Sequence, residues 1–180
     1  ATTDRHLLAE WDFVKNTILP TEISRLSMKV VWWKCPFGQM WRAKISDRTL
    51  LKKGCIVCDK EYDRVFPALT VGYYASLKGL KVQLGSDKLL GITLEAYLPS
   101  EKLAIEWTSG TEQMEILKVH LCRQRQIKLI KLPYEKQEDK KEYADKVKAV
   151  LRRQHIFIST NTEQDIAVIQ KRFMEWRKNR

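Results

Sequence analysis

Trp33-Lys34-Cys35-Pro36-Phe37-Gly38-Gln39-Met40-Trp41, followed by Gly54-Cys55-Ile56-Val57-Cys58, decides how the first third of this chain is read. Lys29–Lys34 has strand composition, Cys35–Gly38 carries the Pro and Gly of a turn, and Met40–Ile45 reads as the returning strand. The result is a hairpin with one cysteine at its tip, ahead of a Cys-x-x-Cys pair. In a chain of intracellular character such a pair reads as a metal knuckle rather than a disulfide. Residues 1–60 hold Trp11, Trp32, Trp33 and Trp41 and three of the four cysteines, but few aliphatic side chains. A module of that size cannot build a sufficient core alone, and a metal ion is the obvious staple. Cys122 stands apart, inside an apolar helical pattern, as a small core residue.

Working outward, 180 residues make one ordinary domain or two small ones. Hydrophobic residues at 44% and charged residues at 31% are globular composition, not that of a disordered chain. No apolar run approaches the roughly 18 residues needed to span a bilayer. Ala1–His6 lacks the basic-then-apolar pattern of a signal peptide, so a soluble, cytoplasmic protein with no membrane partner is expected. Lys and Arg outnumber Asp and Glu by 33 to 22, a net charge of +11. That excess draws polyanions and rewards phosphate contacts through counterion release, with acidic membranes and acidic proteins as weaker candidates.

After the hairpin, apolar residues Tyr62, Phe66, Leu69, Tyr73 and Leu77 predict a helix over 61–79 that ends at Gly79. Strands are expected at Lys81–Leu84, Ile92–Leu98 and Lys102–Trp107. A helix at Thr111–Arg125 carries the stripe Met114, Leu117 and Leu121. Ile127–Leu132 reads as a strand buried on both faces. A charged helix (Glu135–Arg153), a short strand (His155–Ser159) and a last amphipathic helix (Thr162–Lys178) complete the chain. A hairpin, a crossover helix and a further strand imply a mixed sheet with helices against it. Alternation puts Glu95 on one face of its strand with Thr93 and Tyr97, and Glu106 with Ala104 on the next. A tight turn around Pro99–Glu101 sets position 95 against 105 or 106. The two carboxylates become neighbours, which suits a divalent metal such as Mg²⁺.

The Trp33–Trp41 motif, Arg48 and the Cys55–Cys58 knuckle, with the lead-in Ala9–Asn16 and Leu19-Pro20, resemble a zinc-ribbon family of bacterial and mobile-element proteins. Its pattern reads W-x-C-x-x-G-H-x-W, then Arg, then C-P-x-C. The resemblance covers nearly all of residues 7–58 and implies zinc held by Cys35, Cys55 and Cys58. The family's His falls on Gln39, so three of four ligands remain. Three thiolates plus water bind zinc more weakly than a closed four-ligand site. The alternative is a relict fold held by its tryptophans and apolar cysteines.

Leu94–Leu132 resembles the endonuclease-like superfamily with the P-D-(D/E)-x-K site, in the branch of the very-short-patch repair endonuclease. The matches are Glu95 through Pro99, Ala104-Ile105-Glu106, Gly110, Lys118, Leu121-Cys122 and Ile127–Leu132. The resemblance implies a catalytic set of Glu95, Glu106 and Lys118, with Mg²⁺ where cutting occurs. Several family residues are missing: Glu95 replaces Asp, Thr108 stands where Asp or Lys is expected, and Ala68 follows Phe66-Pro67 in place of Glu. No His lies between Gly110 and Lys118. Those losses predict impaired cleavage.

The expected fold is therefore mixed α/β. A zinc-ribbon- or treble-clef-like module at 1–60 precedes a restriction-endonuclease-like domain at 61–180. The expected function is nucleic-acid binding, with duplex DNA as target, in partnership with a transposase or nuclease subunit. Arg42, Lys44 and Arg48 in the module, and Arg123, Arg125, Lys128, Lys171 and Arg172 beyond it, are the DNA-binding candidates. An active Mg²⁺-dependent endonuclease and a protein–protein adaptor are the competing readings.

Overall fold

The computed structural model describes residues 3–86, 91–135 and 138–178. The chain divides into two compact units, Ala1–Tyr62 with Arg177–Arg180, and Asp63–Trp176.

In the first unit, strands β1 (Val30–Lys34) and β2 (Met40–Lys44) pair antiparallel, with Trp33 opposite Trp41 and Lys34 opposite Met40. Successive side chains of a strand point to opposite faces. Val31, Trp33 and Trp41 are accordingly buried, while Val30, Lys34, Met40 and Arg42 are exposed. The turn closes with Gly38 at φ 79°, a left-handed conformation that a side chain would strain. Its N–H donates to the Cys35 carbonyl at 2.9 Å, and Cys35 N–H to the Gln39 carbonyl at 2.9 Å. Trp11 packs edge-on against Trp33, ring centroids 5.4 Å apart. The core gathers Leu7, Trp11, Trp33, Trp41 and Ile45 around Cys35, Cys55 and Cys58. A short helix α1 (Ile45–Thr49) leads toward helix α2 (Ile56–Leu77), whose first residues belong to this unit and the remainder to the second.

The second unit holds a four-stranded sheet of β3 (Gln83–Ser86), β4 (Leu94–Leu98), β5 (Leu103–Glu106) and β6 (Lys128–Lys131), in that spatial order. The first two pairings are antiparallel, and β5 pairs with β6 parallel through Leu103↔Lys128 and Glu106↔Lys131. A parallel pair needs a crossover, and helix α3 (Glu112–Gln124) supplies it. Helices α4 (Lys140–Arg152) and α5 (Thr162–Lys178) follow. Asp165, in the first turn of α5, is buried and accepts from Tyr73 (3.0 Å), Tyr74 (3.1 Å) and Thr160 (2.7 Å) hydroxyls, with Lys148 Nζ at 2.7 Å. That carboxylate ties α5 to α2 and α4. The mixed α/β architecture, with a mixed sheet and helices beside it, is the one expected.

Several elements differ from expectation. Helix α2 begins at Ile56, before residue 61, so Cys58 lies in its first turn. Strand β6 is an edge strand with Lys128 and Lys131 exposed and its apolar pair half-buried, rather than buried on both faces. Residues 155–159 form no strand; His155 turns left-handed at φ 62°, and no strand among the described residues pairs with the segment that follows. Helix α4 starts at Lys140 behind its cap Asp139, whose carboxylate accepts from Glu142 N–H. On α3, Cys122 is buried as expected, but Met114, Ile116, Leu117 and Val119 are each more than 40% exposed. The stripe on that helix is open to solvent.

Candidate metal centre

Each cysteine of the first unit is placed by a distinct local device. Cys35 opens the hairpin turn, held by its hydrogen bonds to Gln39 and Gly38. Cys55 immediately precedes α2, where its carbonyl accepts from Asp59 N–H at 2.9 Å, and Cys58 follows one turn later. The three sulfurs lie within 4.8 Å of one another, Cys35 to Cys58 at 3.7 Å. Four ligands at ~2.3 Å around a tetrahedral zinc would stand about 3.8 Å apart. One ligand from a hairpin turn and two from the start of a helix is the arrangement on view.

Residues 7–61 match the family described as a probable treble clef zinc finger domain. No curated protein and no solved structure matches the chain. The treble-clef half of the zinc-ribbon- or treble-clef-like expectation is the one the match supports, and the downstream pair sits at the start of a helix. The donor set fits zinc. All three thiols are buried, and burial together with the neighbouring Cys55 and Cys35 sulfurs pushes the Cys58 thiol up to about 12. A divalent cation in their midst reverses that logic, because a coordinating thiol is deprotonated outright. Among the described residues, no His, Asp or Glu joins the cluster, and Gln39 is exposed. Among the described residues the protein thus offers three ligands. Arg177 adds positive charge instead: Nη1 donates to Cys58 Sγ, Nε meets Glu61 at 3.0 Å, and the guanidinium lies 4.7 Å from the Phe37 ring centre.

The second cluster is in the other unit. The β4–β5 register, with Ala96 opposite Ile105, places Glu95 opposite Glu106 one step further. Glu106 is fully buried; it accepts Glu95 N–H at 2.8 Å and the Lys118 ammonium from α3, with Lys131 Nζ at 3.9 Å. Glu95 accepts the N–H groups of Trp107 and of Thr108 (2.9 Å) and the Thr108 hydroxyl at 2.5 Å. Glu95, Glu106 and Lys118 thus converge, with every carboxylate oxygen already bonded within the protein.

The cations fall into two groups. Arg42 is exposed and Lys44 half-buried on the outward hairpin face. Arg123, Arg125 and Lys128 are exposed around the end of α3 and the start of β6, where Arg123 and Lys128 line an open cleft. Lys171 is exposed and 4.0 Å from Glu175. Others have structural duties. Arg48 is 5% exposed, paired with Glu10, bonded to the Lys53 carbonyl and placed over the Trp33 and Trp41 rings at 5.2 and 5.3 Å. That buried position withdraws Arg48 from the DNA-binding candidates. Arg172 bonds Ser76 Oγ at 3.2 Å and covers the Tyr73 ring.

Two contributors escaped the sequence reading: Arg177 at the thiols, and Trp32. The second left a signal. Trp32 and Trp33 are adjacent in a strand, so one of them has to face outward.

Proposed function

We propose that the chain is a nucleic-acid-binding protein whose first unit is a zinc-stapled treble clef, with duplex DNA as a target. What carries the nucleic-acid reading is the outward face of the hairpin, where Lys34, Arg42 and Lys44 stand with no acid among them, while duplex DNA is the target proposed for the exposed cations of the second unit. The exposed group Arg123, Arg125 and Lys128 and the +11 net charge add to it. Cations on surfaces of this kind neutralise phosphates and release counterions, so affinity follows salt. A partnership with a transposase or nuclease fits a DNA-targeting role.

On this reading the second unit derives from an endonuclease and cuts poorly. What supports poor cutting is the occupancy of the carboxylates: Mg²⁺ would have to displace Lys118 from Glu106 and three donors from Glu95. What favours the competing, active reading is that Glu95, Glu106 and Lys118 do converge. One titration separates the possibilities. Affinity for duplex DNA is expected to fall about 10³-fold between 50 and 200 mM salt if six phosphates are contacted. Nicking with Mg²⁺ or Mn²⁺ is expected to stay at trace level. A flat salt response would favour a protein adaptor, and robust nicking lost in Glu95→Gln would establish an active endonuclease.

A further inference from the structure

Val31, Trp33 and Trp41 point inward and are buried, so the six outward positions form one surface, with Trp32 and Lys44 half-buried and the rest exposed: Val30, Trp32 and Lys34 on β1, and Met40, Arg42 and Lys44 on β2. Trp32 sits at the centre, directly opposite Arg42. Lys15 Nζ lies 4.3 Å from the centre of its ring, and the Arg42 guanidinium 5.7 Å. None of the six positions is acidic. A large flat ring ringed by cations has the two parts that sequence-tolerant strand binding requires, a stacking plane and phosphate partners.

We infer that this face binds unpaired nucleotides of a single-stranded polynucleotide, with one base stacked on Trp32 and the flanking phosphates paired with Lys15, Lys34, Arg42 and Lys44. The inference deepens the nucleic-acid reading and rests on it.

The backbone around Trp32 decides between single strand and duplex. A two-stranded ribbon reads a duplex by entering the major groove, roughly 12 Å wide, which requires a ribbon that projects freely. Here the outer edge of β1 is covered. Trp32 N–H donates to Asn16 Oδ1 at 2.8 Å, and its carbonyl accepts from Asn16 Nδ2 at 2.7 Å and from Asp12 N–H at 3.3 Å. The inner face is packed on Trp11 and the cysteines. A platform remains, not a wedge. Paired bases within a duplex show it only their edges and backbone, whereas an unpaired base can lie flat on the indole. Lys15, exposed, caps the ring in the free protein and moves to a phosphate when a base takes its place.

The test uses the full zinc-loaded chain and three fluorescent probes of about 15 nucleotides: oligothymidylate, oligouridylate and a mixed-sequence duplex. Trp32→Ala is expected to weaken binding of both single strands by about 5- to 100-fold, the loss of one stacked base, and to change duplex binding by less than about 2-fold. Trp32→Phe recovers most of the affinity because a ring is restored. Arg42→Gln lowers the single-strand salt slope by about 0.7, the share of one phosphate, whereas Trp32→Ala leaves it unchanged. Zinc content and melting temperature of each variant report that the unit is folded. Equal losses on duplex and single strand, or none on single strands in a folded variant, would overturn the inference. Failure of the wild type to bind any of the three probes would overturn the nucleic-acid reading itself.

Discussion

Exchanging Cys58 for serine, or stripping the protein with a strong chelator, is expected to unfold the first unit. Its core is three tryptophan rings, a few aliphatics and three thiols, too little to hold a module of this size against chain entropy. Metal binding is folding free energy in such modules, about 10–16 kcal/mol for complete structural sites at neutral pH. A site with three protein ligands offers less, yet its loss still exceeds what the core can supply. Near-ultraviolet dichroism should lose the fixed signals of Trp11, Trp33 and Trp41, and calorimetry should lose one transition while the second unit's own transition remains. Cys122→Ser, buried in the other unit and apart from the thiol cluster, should leave zinc content unchanged. Retention of the tryptophan signals after complete metal removal would favour the relict fold held by its aromatics.

The second large effect concerns Glu106. Its side chain has no solvent exposure, and Lys118 beside it is 13% exposed. Removing one partner of a buried pair leaves an uncompensated charge, which costs about 3–5 kcal/mol. Glu106→Ala is therefore expected to lower the melting temperature of the second unit by roughly 10–20 °C. Glu106→Gln, which still accepts the Glu95 N–H, should cost less. The double variant Glu106→Gln with Lys118→Met should regain part of the loss, because neither charge is then buried alone. Equilibrium unfolding of the wild type, Glu106→Gln, Lys118→Met and the double variant closes the cycle. Additive effects would mean that the pair is not coupled and that Glu106 is free for other work.

The hairpin of the first unit was legible because strand alternation and a Pro-x-Gly turn leave few alternatives, and the convergence of the three cysteines because the family pattern implies it. The approach of Glu95 to Glu106 was legible for the same reason: a short turn after Leu98 fixes which residues face each other. The start of α2 was not. Ile56 and Val57 are exposed, so no apolar stripe announces the first turn, and periodicity begins only at Tyr62. Its buried side is carried by Cys55 and Cys58, which lead to Tyr62 in steps of three and four residues and were read as a knuckle and not as part of the stripe. Residues 155–159 show the converse. Ile156, Phe157 and Ile158 have strand propensity, but propensity without a neighbouring strand makes no ladder. Arg48 was read by its charge and proved to be a buried clasp. Trp32 was counted with the core tryptophans, although strand alternation alone would have turned it outward.

No helix among the described residues is long and apolar enough to cross a membrane. On the proposed reading, zinc at the three cysteines is what the first unit's fold, and hence its cationic platform, depends on. X-ray absorption at the zinc edge of the purified full chain, with the metal-to-protein ratio measured alongside, tests it most directly. The expected result is one zinc per chain with three sulfurs at ~2.3 Å and one lighter oxygen or nitrogen ligand at ~2.0–2.2 Å. Absence of zinc from a protein that retains its folded tryptophan signals, or a four-sulfur shell, would contradict the account.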